Sequence, residues 1–235
     1  MNVKNLHWTS GTRFFFGKII YPFFPHDTAV PGVLLCPNMM GVTASNVAHG
    51  KRIAAMGYVV LVADLYGTDV ELSSEEAAVY MSEIKDKAEE KTRLRAALDA
   101  LSNDQSVNSD SLAVVGFCYG GHCALEIARI GADVKASISV HGSLTTHLKC
   151  YKDKISANIL VLNGAGDPFV PPSHVVNFVR EMTDAGANFQ LVNYANAFHS
   201  FTYPKADVPG KMEYNESICN RAFQQIEIFL SECLN

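Results

Sequence analysis

A chain of 235 residues that is 48% hydrophobic can bury a full core, and α/β units of this size often form one domain. Its formal net charge of −5 and pI near 5.9 argue against nucleic acid or an anionic membrane as partner. No stretch reads as a membrane span or a signal peptide: the apolar run 14–22 is broken by Lys18 and Pro22 and lacks the charged, apolar, small-residue order of a leader.

After an N-terminal extended stretch, residues 32–36 form the first apolar strand. A helix is expected over 46–56 and ends at Gly57. Residues 58–63 are continuously apolar, as strands buried on both faces are. Ser73-Ser74-Glu75-Glu76 has capping-box spacing for a helix start. From Tyr66 to about Glu90 two readings stand side by side, a plain crossover and a partial lid that brings Tyr80 to a substrate. Leu94, Ala97, Leu98 and Leu101 then repeat at i, i+3, i+4 and i+7, and the charge-rich run 85–95 reads as the solvated face of that helix. Strands follow at 112–115, 136–140, 158–162 and 189–194, with amphipathic helices near 175–182 and 218–230. This alternation predicts an α/β fold, a mostly parallel twisted sheet with helices on both faces. With no repeat, low-complexity tract or linker, residues 1–235 read as a single domain.

The chemistry is concentrated at Val114-Val115-Gly116-Phe117-Cys118-Tyr119-Gly120-Gly121. A β-branched run stops at a glycine, a cysteine stands at the apex, and a helix-like stretch begins at once. This is the Gly-x-nucleophile-x-Gly elbow with cysteine in place of serine. A strand that reverses into a helix so sharply leaves no room for a Cβ at Gly116 or Gly120. The turn also sets the sulfur at a helix N-terminus, where unpaired N–H groups and the macrodipole favour the thiolate. Such an elbow needs an acid and then a histidine later in the chain. Asp167 lies in a loop after the strand 158–162, and His199 in a loop after the strand 189–194. Parallel sheets gather such loops at one edge, so Cys118, Asp167 and His199 can meet.

On the stretches Pro31-Gly32-Val33-Leu34-Leu35, Gly41-Val42, Ala63-Asp64-Leu65-Tyr66-Gly67, the Cys118 elbow, Gly164-Ala165-Gly166-Asp167-Pro168 and His199-Ser200-Phe201, the chain resembles the dienelactone hydrolase family of α/β-hydrolases. The resemblance implies the α/β-hydrolase fold, with Cys118 as nucleophile, His199 as base and Asp167 orienting it. It implies cleavage of carboxylic esters or lactones, in the manner of a carboxymethylenebutenolidase, through a thioester. Two departures bear on the substrate. Members that open dienelactones carry a glutamate where this chain has Asn38, and an arginine where it has Tyr203. Both changes point away from an anionic dienelactone.

The expected oxyanion donors are the backbone N–H groups of Tyr119, which follows the nucleophile, and of Met39, in the loop after the first strand. Asn38, His141, Tyr203 and Tyr80 are the candidate substrate-binding side chains. No His, Asp and Cys spacing suits a metal, and no phosphate or dinucleotide fingerprint is complete, so neither metal nor cofactor is expected. Six cysteines without a CxxC pair read as reduced thiols in a cytoplasmic protein. The partners expected are a small-molecule ester or lactone and, at most, further copies in a small homo-oligomer. Two other classes use the same residues: an acyltransferase that prefers another acceptor to water, and a non-catalytic thiol-sensing or binding protein.

Overall fold

The computed structural model describes residues 1–23, 28–147 and 153–234. Its contacts gather into two compact units, Met1–Val114 and Val115–Asn235.

In the first unit, β1 (Asn2–Ser10) and β2 (Arg13–Tyr21) form an antiparallel hairpin whose turn uses Gly11 at φ +59°. Only an extended stretch was legible here. Gly17 explains part of the packing, because a Cβ there would lie 2.7 Å from the Trp8 ring. β2 pairs antiparallel with β4 (Val59–Val62), and β4 pairs parallel with β3 (Val30–Cys36), in the order β1-β2-β4-β3. All four residues of β4 are buried, which is why its sequence shows no alternation.

α1 (Ala44–Ala54) starts at Thr43, whose side chain accepts from the Asn46 N–H. α2 (Ser74–Ile84) carries the expected capping box between Ser73 and Glu76. α3 (Ala88–Ser102) buries Leu94, Ala97, Leu98 and Leu101, and it packs against β1 and β3.

The charge-rich run 85–95 is not simply a solvated face. Glu90 and Arg93 are buried. Arg93 Nη1 donates to the Leu65 carbonyl at 2.7 Å, and its guanidinium lies over the Phe15 ring. A buried loop carbonyl needs a donor, and a long cationic side chain on the neighbouring helix supplies one.

β5 (Val107–Phe117) runs out of the first unit into the second. There β6 (Ala136–Val140), β7 (Asn158–Gly164) and β8 (Phe189–Tyr194) lie parallel in the order β6-β7-β8. α4 (Tyr119–Arg129) packs on β6, and α6 (Glu216–Leu234) packs on β6 and β7. α5 (Pro172–Asp184) bridges β7 and β8 in sequence, as a parallel pair requires. A two-stranded ribbon, β9 (Asp207–Val208) with β10 (Met212–Glu213), follows β8. The fold is α/β, a mostly parallel sheet flanked by helices. Among the described residues no helix is long and apolar enough to cross a membrane.

Candidate active site

Cys118 stands between β5 and α4, one residue before the helix begins. Its backbone has φ 55° and ψ −116°, a conformation that side chains rarely adopt. The glycine at the foot of the turn is obligatory: a Cβ on Gly116 would lie 1.7 Å from the Gly120 carbonyl oxygen. Strand and helix are therefore in backbone contact, and the cysteine is carried outward on a strained apex. It is half-buried, whereas Cys36, Cys123 and Cys219 are fully buried. Those three behave as small core residues.

The thiol meets a chain of polar contacts. His199 Nε2 lies 3.0 Å from Cys118 Sγ, and His199 Nδ1 lies 2.7 Å from Asp167 Oδ2. Asp167 Oδ1 also accepts from the Phe169 N–H at 2.8 Å, which fixes the carboxylate. Asp167 and His199 are both buried. Burial alone pulls the His199 pKa down. The bonds to Asp167 and to Cys118, together with their negative charges, prevail and hold it up at about 10. Nδ1 thus faces the carboxylate and Nε2 faces the sulfur.

The loops that carry these groups abut each other through glycines. A Cβ on Gly164 would lie 2.5 Å from the Ala197 carbonyl oxygen, and one on Gly166 would lie 3.0 Å from the Phe198 ring. The Gly164-Ala165-Gly166 signal before Asp167 thus marks close approach to the His199 loop. That loop is clasped by the β9–β10 ribbon. His199 N–H donates to the Lys211 carbonyl, and the Glu213 N–H donates to the His199 carbonyl. No sequence pattern announced this ribbon, because its strands are two residues long.

His141, a sequence candidate for substrate contact, is 2% exposed. Its Nδ1 accepts from the Cys118 backbone N–H at 3.1 Å, and its Nε2 lies 2.9 Å from the Thr202 hydroxyl. Both ring nitrogens are engaged with protein. Tyr203 is half-buried in the turn after Thr202, and its N–H donates to the Ser200 carbonyl. Phe169, which sequence reasoning passed over, is largely exposed and stands edge-on to the His199 ring at 5.0 Å between centroids.

Asn38, Met39 and Tyr80 belong to the first unit. Asn38 Oδ1 accepts from the Met40 N–H and from Asn46 Nδ2, both at 3.0 Å. Asn46 Nδ2 also donates to the Gly41 carbonyl, so Asn38 is tied into the loop it opens. The Tyr66 hydroxyl donates to the Met39 carbonyl at 2.8 Å, and Tyr80 packs on the Tyr66 ring. Asp64, in the Ala63–Gly67 stretch, accepts from the N–H groups of Phe16, Tyr66 and Gly67. Its burial raises its pKa against those bonds, and its role there is to hold the loop after β4.

A model of the dienelactone hydrolase family matches residues 20–234. The chain belongs to that family. Among its relatives, an uncharacterized Caenorhabditis elegans protein is 34% identical over 60% of this chain and 92% of its own length. A Bradyrhizobium protein described as a probable 2-oxo-3-(5-oxofuran-2-ylidene)propanoate lactonase is 26% identical over 73% of each chain. Among solved structures, a dienelactone hydrolase-like promiscuous phosphotriesterase from metagenomic libraries superimposes with a TM-score of 0.94. It is 27% identical, covering 100% of this chain and 99% of that one. This dienelactone hydrolase-like chain is a hydrolase by family, on the α/β-hydrolase fold.

Proposed function

We propose that the chain cleaves carboxylic esters or lactones with Cys118 as nucleophile, His199 as base and acid, and Asp167 as the residue that orients it. What carries this reading is the continuous path from Cys118 Sγ through His199 to Asp167, at 3.0 and 2.7 Å, on a strained elbow. His199 takes the Cys118 thiol proton as the sulfur attacks the acyl carbon and forms a C–S bond. The developing oxyanion is met by the Tyr119 N–H at the start of α4, where the helix dipole adds to it. Collapse breaks the C–O bond, and His199 gives its proton to the departing oxygen. A water then loses its proton to His199, attacks the thioester carbon and releases the acid and the thiolate.

Asn38 in place of a glutamate and Tyr203 in place of an arginine favour neutral esters over anionic dienelactones. We read residues 1–235 as one hydrolase domain, because the family match runs through both compact units. A reduced nucleophilic thiol suits a cytoplasmic setting.

The test is turnover of a panel of aryl esters, simple lactones, a dienelactone and a phosphotriester by the parent, Cys118→Ala and Cys118→Ser. We expect neutral esters to be turned over best and the alanine variant to lose at least about 1000-fold in kcat, as loss of a triad member does elsewhere. The serine variant should also lose most activity, since the site is tuned to sulfur. An alanine variant as active as the parent refutes the nucleophile. Stoichiometric labelling of Cys118 with no ester turned over would favour a thiol sensor. Acyl transfer to an added alcohol or thiol in preference to water would make the chain a transferase.

A further inference from the structure

Three non-glycine residues with positive φ stand in the loops of the candidate site in the second unit: Cys118 at 55°, His141 at 40° and Ser200, next to His199, at 58°. Strain of this kind persists only where surrounding contacts hold it. One side chain touches two of the loops concerned. His141 directly follows β6, and its Nδ1 receives the N–H of Cys118, which the Val140 carbonyl also accepts at 3.0 Å. Its Nε2 faces Thr202, three residues beyond His199. The ring is buried edge-on against both His199, at 5.3 Å, and Phe201, at 5.0 Å. The backbone beside it is equally tight, since a Cβ on Gly142 would lie 2.6 Å from the Gly121 carbonyl carbon.

We propose that His141 is a positioning residue: as a neutral imidazole it accepts the nucleophile's backbone N–H and donates to Thr202, tying the cysteine apex to the loop that carries the base. An acceptor is required at Nδ1 because the group facing it is an N–H. The ring proton therefore sits on Nε2, where the Thr202 hydroxyl accepts it. The tie holds the 3.0 Å separation of Sγ and Nε2, and it acts on the attack rather than on substrate binding. The inference rests on the proposed roles of Cys118 and His199.

Three variants and the parent decide it, with kcat and KM for an aryl acetate, the iodoacetamide alkylation rate of Cys118, and thermal melts. His141→Phe keeps a buried planar ring and removes both nitrogens. It should lower kcat at least tenfold and slow alkylation, with KM within about twofold of the parent. His141→Asn restores an acceptor near the Nδ1 position and should recover kcat to within about threefold. Thr202→Val removes the far contact and should cost several-fold in kcat, again without KM. It also keeps the test alive if the phenylalanine variant does not fold.

Parent-like kcat in His141→Phe, or in Thr202→Val where that variant stands alone, overturns the proposal. So does an asparagine variant no better than a folded phenylalanine one, because the ring would then matter only for packing. If Cys118→Ala stays active, it is the reading of the nucleophile that fails. If Cys118→Ala is dead and His141→Phe is unimpaired, only the positioning role fails.

Discussion

At the scale of single residues, two glycines separate crowding from backbone strain. Gly116 has an ordinary backbone, yet a Cβ there would overlap the Gly120 carbonyl at 1.7 Å. Gly57 has φ +105° with nothing within 4 Å of a Cβ, so alanine there meets only conformational cost, roughly 1–2 kcal/mol. Gly116→Ala must instead push β5 and α4 apart, which should cost more than the ~1–3 kcal/mol of ordinary overpacking and move the sulfur away from His199. Denaturant melts of the two variants should therefore rank Gly116→Ala as clearly worse, with esterase activity lost in it and kept in Gly57→Ala. Equal melts would mean that the elbow can relax, and the steric argument would fall. The sequence spelled out this contact well, because a glycine next to a nucleophile has few other reasons to be there. It did not spell out Phe169 or Thr202, whose contacts come from loops that are distant in sequence meeting His199 and His141.

At the scale of elements, strands and helices were legible where local pattern and burial agree, as in β6, β8 and the capping box of α2. They were less legible where tertiary contact decides. The charged run of α3 hides Arg93, and α4 is buried throughout although it carries Glu126 and Arg129. Arg129 Nη1 donates to Glu126 at 3.0 Å, and its Nε and Nη2 grip Glu181 of α5 at 2.9 and 2.8 Å. Nη2 also donates to the Leu144 carbonyl. One guanidinium thus ties the helix behind the nucleophile to α5 and to the chain after β6. Arg129→Met should cost about 3–5 kcal/mol, since it leaves the Glu126 carboxyl without its cation in the core. Adding Glu126→Gln to that variant should recover part of the loss. Urea unfolding of the three variants checks this, and a double variant no more stable than Arg129→Met would show that the stranded carboxylate is not the cause.

At the scale of the whole molecule, the site leaves a mark on stability as a function of pH. His199 has an ordinary value of 6.5, and in the folded chain it is held at about 10. Between those two values His199 holds a proton in the folded chain that it has lost in the unfolded one, so its contribution to the unfolding free energy falls as pH rises. The contribution is complete below about 6.5, declines across the window and is gone once pH has passed 10. Tyr21 and Tyr194, both pushed up to about 12 with burial as the leading cause, act in the same direction at still higher pH, so the parent alone cannot isolate the histidine. A difference measurement can. His199→Gln removes the titrating group and leaves the tyrosines in place. The stability of the parent minus that of the glutamine variant should be largest at pH 6, smaller at pH 8 and smallest at pH 10. Esterase activity plays no part in this readout, so it tests the raised pKa of His199 independently of any substrate. A difference that stays flat from pH 6 to 10 would mean that His199 binds its proton no more tightly in the folded chain than in the unfolded one, and the argument from its raised pKa would fall.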